Sequence, residues 1–265
     1  MAIDISEKYK RSLKFPNYPE LHARIKLRKF VERRRERKRA ALRSASPTRS
    51  LAHPCKITDA LEAAGPHFRE HGWAFMEGVF DPAFHELLVK NWPDRAFFVS
   101  PKSILKGYDY GFQWVDGQPK DLANGDLHPE IQSMRDTMDS AEMAARVKAM
   151  TGWEHDLHCN STLATYSYPG TCVVPHRDTV VEKSGYASAN FIFFINGSGG
   201  ERSGGLVLSR DNELKDRIFE PSHLVNSCLV YDTSAPFFHG FEPIQRGKFR
   251  WMMSAHFAAP DQKQA

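Results

Sequence analysis

Cysteine is scarce in this 265-residue chain. Cys55, Cys159, Cys172 and Cys228 are widely spaced, with no C-x-x-C pair. That pattern excludes a zinc-ribbon site or a disulfide framework as the organising device of the fold. Long apolar runs are missing too, and none approaches the roughly 20 residues of a membrane-spanning helix. The opening residues, Met-Ala-Ile-Asp-Ile-Ser-Glu-Lys, lack the apolar stretch of a signal peptide. The expectation is a cytoplasmic protein, at most peripheral to a membrane. There is no internal repeat. A large charge excess is also lacking, the net being +4, yet the charge is unevenly spread. Residues 1–50 carry 16 Lys and Arg against 5 Asp and Glu, and the rest carry 20 against 27. The basic character belongs to the N-terminal arm, and the body is mildly acidic.

The arm lacks Gly and Pro between Pro19 and about Leu42, where Ala, Leu, Arg, Lys and Glu predict a helix. Its block Arg33-Arg34-Arg35-Glu36-Arg37-Lys38-Arg39 suits an anionic surface: a membrane, a nucleic acid or an acidic partner. A solvated arm without a partner explains it equally well. Ser44 to Ser50 reads as a linker. The chain therefore divides into a basic arm and linker (1–50), a helix-rich part (51–155), a β-rich core (156–259) and a short tail (260–265).

In the second part, 56–71 reads as helical, interrupted at Gly65-Pro66, and a strand-like stretch follows Gly72. Asp81-Pro82 starts a helix, with Asp81 as N-cap and Pro82 at the first helical position. Residues 95–125 are mixed, and the aromatic-rich stretch 107–114 reads as a strand or a substrate-facing loop. Residues 128–150 read as one helix. From residue 157 the period changes to two. Strands are predicted at 162–168, 171–179, 189–195, 206–208, 218–220, 227–232, 237–244 and 248–257. Many short strands with Gly and Pro turns indicate a sandwich or barrel.

The chemistry lies in that β-rich part. His176 and Asp178 stand two residues apart, on one face of a strand. An imidazole and a carboxylate side by side suit a metal, and a second His would complete the two-His, one-carboxylate set of non-haem iron(II) oxygenases. His239, in the apolar run Pro236-Phe237-Phe238-His239, supplies it. Alone it would read as a core histidine bonded to backbone. Arg250 follows eleven residues later. If the last two strands formed a hairpin turning near Gln245-Arg246-Gly247, residues 239 and 250 would lie nearly opposite. A buried guanidinium needs an anion, and its fork fits a carboxylate.

With these residues in place, residues 160–258 resemble the iron(II)- and 2-oxoglutarate-dependent dioxygenase superfamily, in its prolyl-4-hydroxylase-like branch. The resemblance rests on an ordered set. Tyr166, Tyr168 and Gly170 precede His176 and Asp178; Gly204-Gly205 precedes a strand; Cys228-Leu229-Val230-Tyr231 leads to His239-Gly240; and Gly247 precedes Arg250. It implies a mainly β (α+β) protein, with a double-stranded β-helix (jelly roll) core and flanking N-terminal helices. It implies that His176, Asp178 and His239 bind iron(II), and that Arg250 pairs with the distal carboxylate of 2-oxoglutarate. Either Tyr166 or Tyr168 would donate to the same carboxylate. Asn190 is a further candidate there, with a structural amide as the alternative. O2 would be the oxidant and ascorbate a stimulant, with succinate and CO2 released as a C–H bond is hydroxylated.

The sequence also departs from relatives. Met252 stands where some branches place a Ser two residues after the Arg, and Ser254 comes two residues further on. The Arg246/Arg250 spacing does not match the nucleic-acid demethylases. Asp178 is retained, which favours hydroxylation over halogenation. Two further readings stay open: an oxygenase docked through its basic arm and acting on a glycan or lipid-linked substrate, and a non-catalytic jelly roll that holds metal and 2-oxoglutarate. The substrate, a small molecule or a side chain, is not encoded in any motif.

Overall fold

The computed structural model describes Arg34 and residues 54–92, 111–114, 129–167, 172–178 and 187–259. The basic arm apart from Arg34, most of 95–125, Tyr168, most of the segment 179–188, and the 260–265 tail lie outside the described residues. Among the described residues, no helix is long and apolar enough to cross a membrane.

Among the residues described from 54 onward, five helices lie ahead of residue 152, interleaved with two strands: α1 (Ala60–Ala63), α2 (Gly65–His71), α3 (Pro82–Lys90), α4 (Pro129–Met138) and α5 (Ala141–Thr151). The predicted cap of α3 is present, Asp81 accepting from the backbone N–H groups of Ala83 and Phe84 at 3.0 and 3.2 Å. Asp81→Ala should therefore cost about 1 kcal/mol, read as a lowered urea midpoint. The single helix expected over 128–150 is two. The chain breaks at Ser140, whose hydroxyl accepts from Met143 N–H and caps α5. A Ser that satisfies an orphan backbone donor starts a new helix more readily than it continues an old one.

Among the described residues, ten strands make two sheets. They are β1 (Trp73–Glu77), β2 (Gly111–Trp114), β3 (His158–Ser167), β4 (Val173–His176), β5 (Ala189–Gly197), β6 (Val207–Ser209), β7 (Arg217–Phe219), β8 (Ser227–Asp232), β9 (Phe238–Phe241) and β10 (Arg250–Ala258). The larger sheet runs β1-β8-β5-β10-β3-β2 and the smaller β4-β9-β6-β7. All the strand pairs are antiparallel, and the two sheets form a jelly roll with helices outside.

Alternation along the larger sheet sorts its side chains into two layers. Ala164, Phe191, Phe193, Ile195, Cys228, Val230, Met253, Ala255 and Phe257 face outward and pack against Phe84, Leu88, Ile131, Met134 and Val147 of the helices. Ile192, Phe194, Leu229, Tyr231 and Met252 face inward against Leu206, Leu208 and Phe241 of the smaller sheet. Each fully buried large side chain of this kind stabilises the fold by about 1.5–3 kcal/mol. Both faces being covered, β5 reads as the continuous apolar run Phe191-Ile192-Phe193-Phe194-Ile195.

One expectation fails. β9 and β10 do not form a hairpin: β9 pairs with β4 and β6, and β10 with β3 and β5. Residues 242–249 cross from one sheet to the other. β8, β9 and β10 alternate between the two sheets, so here proximity along the chain does not imply pairing.

Candidate metal and co-substrate site

The site is built where the two sheets face each other. Antiparallel pairing of β4 with β9 sets His176 directly across from His239, and their rings stand 4.3 Å apart at the centroids. β4 ends at His176, so Asp178 reaches the site from just beyond the strand. Its Oδ1 lies 3.6 Å from Nε2 of His176 and 3.6 Å from Nε2 of His239. One ligand atom from each of the three residues falls within 4.8 Å of the others, the sole such group of three or more His, Cys, Asp or Glu among the described residues. His239 is 4% exposed. Burial holds its pKa down to about 4, against the opposing pull of Asp178 and with a smaller push from His176. It is therefore neutral at pH 7, with a lone pair to offer.

The closeness of His239 to its neighbours has a steric basis in Gly240. A Cβ there would lie 2.7 Å from the carbonyl oxygen of Val173 and 2.9 Å from both N and Cα of Pro175. Only glycine lets β9 approach the start of β4 this closely.

Arg250 opens β10 opposite Ser167 of β3 and is 3% exposed. Its guanidinium donates to the carbonyl of Gly204 and, at 3.3 Å, to Ser167 Oγ. The Phe241 ring lies against it at 4.3 Å. Gly204 has a φ of +90°, and a Cβ there would strike Ile244 at 2.7 Å. That glycine lets the carbonyl turn onto the arginine. Arg250 shares a cavity of about 220 Å³ with His176, Asp178 and His239. Thr165 Oγ1, in the cavity wall, is buried with no hydrogen-bond partner. A buried hydroxyl without a partner costs about 1–3 kcal/mol unless something bonds to it.

The donor set of two imidazoles and one carboxylate suits a first-row divalent ion such as iron(II). A buried arginine and an orphaned hydroxyl in the same small cavity suit a carboxylate of a compact acid. The residues present thus fit both iron(II) and 2-oxoglutarate.

The remaining candidates named from the sequence, and two further histidines, are placed as follows. Asn190 lines the cavity and donates to Tyr231 Oη at 2.8 Å. Tyr166 is turned away from the cavity by the alternation of β3: its ring packs 6.0 Å from that of Trp251 beside the outer layer, while Thr165 faces inward. Tyr168 lies outside the described residues. Ser254 lines the cavity. His256 is held between Asn160 Oδ1 at 2.7 Å and Ser188 Oγ at 3.0 Å, with burial lowering its pKa. His155 bonds to the carbonyl of Ala187 and stacks on Trp153.

Two inward residues, Thr165 and Ser167, have no part in the sequence reading, and Tyr231 enters it only as the end of the run Cys228-Leu229-Val230-Tyr231, with no polar role. The signal was the strand parity of Arg250 and His239 carried across to the neighbouring strands, and it needs the strand order to be used.

Two imidazoles, a carboxylate and a buried arginine at one cavity of a jelly roll could hold a divalent metal ion and a carboxylate side by side. No family model matches the chain, and no curated protein matches it. Solved structures do match. A prolyl-4-hydroxylase from Pseudomonas putida superposes with a TM-score of 0.53 at 14% identity, over 76% of this chain and 100% of its own. A prolyl hydroxylase from Trichoplax adhaerens, in complex with a hypoxia inducible factor peptide fragment, gives 0.57 at 11% identity, over 74% and 88%. The non-haem alpha-ketoglutarate-dependent epimerase SnoN from nogalamycin biosynthesis gives 0.52 at 14%, over 76% and 83%. The chain has the fold shared by these 2-oxoglutarate–Fe(II) oxygenase structures.

Proposed function

We propose that this protein is a non-haem iron(II), 2-oxoglutarate-dependent oxygenase that hydroxylates an unactivated C–H bond of a small molecule or side chain, releasing succinate and CO2. The observation that carries the reading is the convergence of His176, Asp178, His239 and Arg250 on one 220 Å³ cavity, from two different sheets. When bound, iron(II) supplies the activation of O2 coupled to decarboxylation of 2-oxoglutarate.

The chain's own contribution is placement. His239, neutral at pH 7, and His176 present nitrogen donors, and the Asp178 carboxylate adds the charge that favours a divalent ion. Arg250 fixes the far carboxylate of 2-oxoglutarate through its planar fork, itself held by Gly204 and Ser167. Thr165 Oγ1 gains a hydrogen-bond partner in the same acid. The apolar walls, Leu206, Ile192 and Phe241 among them, keep water from the cavity.

The test is succinate formation by the iron(II)-loaded protein in air, with 2-oxoglutarate, ascorbate and a cell extract, and mass spectrometry of the extract afterwards. Succinate and a product heavier by one oxygen are expected, both lost in Asp178→Ala. Succinate at the same rate in Asp178→Ala would sink the assignment. A product of unchanged mass would leave the oxidant but remove hydroxylation.

A further inference from the structure

Tyr231 touches the triad without belonging to it. The alternation of β8 turns it inward, where it is 2% exposed. Its ring packs edge-on to Phe237 at 6.1 Å and against His239 at 4.7 Å, so the phenol is pinned. Its oxygen meets three groups of the site: Asn190 Nδ2 at 2.8 Å, Asp178 Oδ2 at 3.1 Å and His239 Nε2 at 3.2 Å.

The roles of these contacts follow from donor accounting. An amide N–H can only donate, so the phenol oxygen accepts from Asn190. The phenol proton is then directed to Asp178 Oδ2 or to His239 Nε2. An ion bound through Nε2 of His239 uses that lone pair and leaves the proton to Asp178 Oδ2. Meanwhile Asp178 Oδ1, 3.6 Å from each imidazole nitrogen, is the oxygen that would face an ion held by the three residues.

We propose that Tyr231, aimed by Asn190, is a positioning residue for the metal centre: it holds Asp178 Oδ2 and keeps the carboxylate bound through Oδ1 alone. This rests on the triad being an iron(II) site. A carboxylate free to bind through both oxygens would fill a position that 2-oxoglutarate or O2 needs. Ordinary core packing would explain the ring of Tyr231, and a phenylalanine would then serve as well. It does not explain a phenol bonded at once to the amide, the carboxylate and the imidazole. The same contacts make metal binding and the hydroxyl's orientation mutually dependent, because the ion removes one of the two acceptors.

The experiment uses cobalt(II) as a spectroscopic stand-in, titrated into the full chain under argon by calorimetry and visible absorption, with Tyr231→Phe, Asn190→Ala and Asp178→Ala. Tyr231→Phe should weaken cobalt(II) binding by about 10- to 100-fold and alter the ligand-field bands before any co-substrate is added. Asn190→Ala should shift both in the same direction by less. Unchanged affinity and spectrum in Tyr231→Phe would overturn the proposal. If that variant does not fold, judged by melting of the metal-free protein, unchanged affinity in Asn190→Ala overturns it instead. A phenolate-to-iron(III) absorption band in oxidised wild type, absent in Tyr231→Phe, would make the phenol a ligand and also overturn it. Asp178→Ala separates the two levels. Cobalt(II) retained there means the triad reading fails; cobalt(II) lost there but kept in Tyr231→Phe means that only the tyrosine's role fails.

Discussion

Replacing Arg250 with Ala should abolish measurable 2-oxoglutarate binding while leaving the metal site able to take up an ion. Losing a buried charged partner typically costs about 2–5 kcal/mol, and 3 kcal/mol is already more than 100-fold in affinity. Arg250→Lys is the more searching variant. It keeps the positive charge but loses the fork, and it cannot reproduce the bonds to Gly204 and Ser167 together. We expect a loss of roughly tenfold or more with Lys, lying between wild type and Ala. Calorimetry of 2-oxoglutarate against manganese(II)-loaded protein reads both affinities, and manganese(II) affinity measured alone checks the triad. Equal 2-oxoglutarate affinity in all three proteins would remove Arg250 from the co-substrate site.

Gly240→Ala should damage stability and metal binding together. The added methyl meets the backbone of Val173 and Pro175 below 3.0 Å, and backbone cannot swing aside as a side chain can. Relief requires β4 to move off β9, and β4 carries His176. Overpacking of this kind costs about 1–3 kcal/mol. The same displacement separates His176 from His239, so cobalt(II) affinity should fall by about tenfold or more. A urea melt of the metal-free protein and a cobalt(II) titration give the two readouts. A variant that loses stability but binds cobalt(II) normally would show that the strands shift without moving the histidines.

Much of this site was legible from residue types in order. His176, Asp178, His239 and Arg250 were singled out by chemistry and by position on strands, and the structure brings all four to one cavity. The reason given for the nearness of His239 and Arg250 was wrong. A hairpin is a local inference, and the jelly roll is a non-local one, in which β9 and β10 sit in different sheets. Face parity was legible within a strand: Arg250, Met252 and Ser254 do share the cavity side. It was not legible between strands. That is why Tyr166 was put forward and Thr165, one residue away, was passed over. The sequence shows Tyr231 as the end of the run Cys228-Leu229-Val230-Tyr231 that leads to His239, without its polar role, because its three polar partners come from β5, β9 and the residues after β4. The break at Ser140 was missed for a different reason: the apolar pattern carried on through Met138 and Met143, and periodicity does not show where the backbone finds a competing bond.

The crossing of residues 242–249 between the sheets bears on what the cavity can measure. The candidate metal ligands His176 and His239 belong to the smaller sheet, and Arg250 to the larger. The gap between them is set by the thickness of the sandwich, typically about 10 Å between sheets, and therefore by how Phe241, Met252 and Leu206 interdigitate. A diacid spanning that gap is gauged as a calliper gauges a rod. The tolerance of the instrument is the compressibility of the packed interior, which is small. Selection of one chain length of acid over its homologues would then be a property of the core, with no residue dedicated to it.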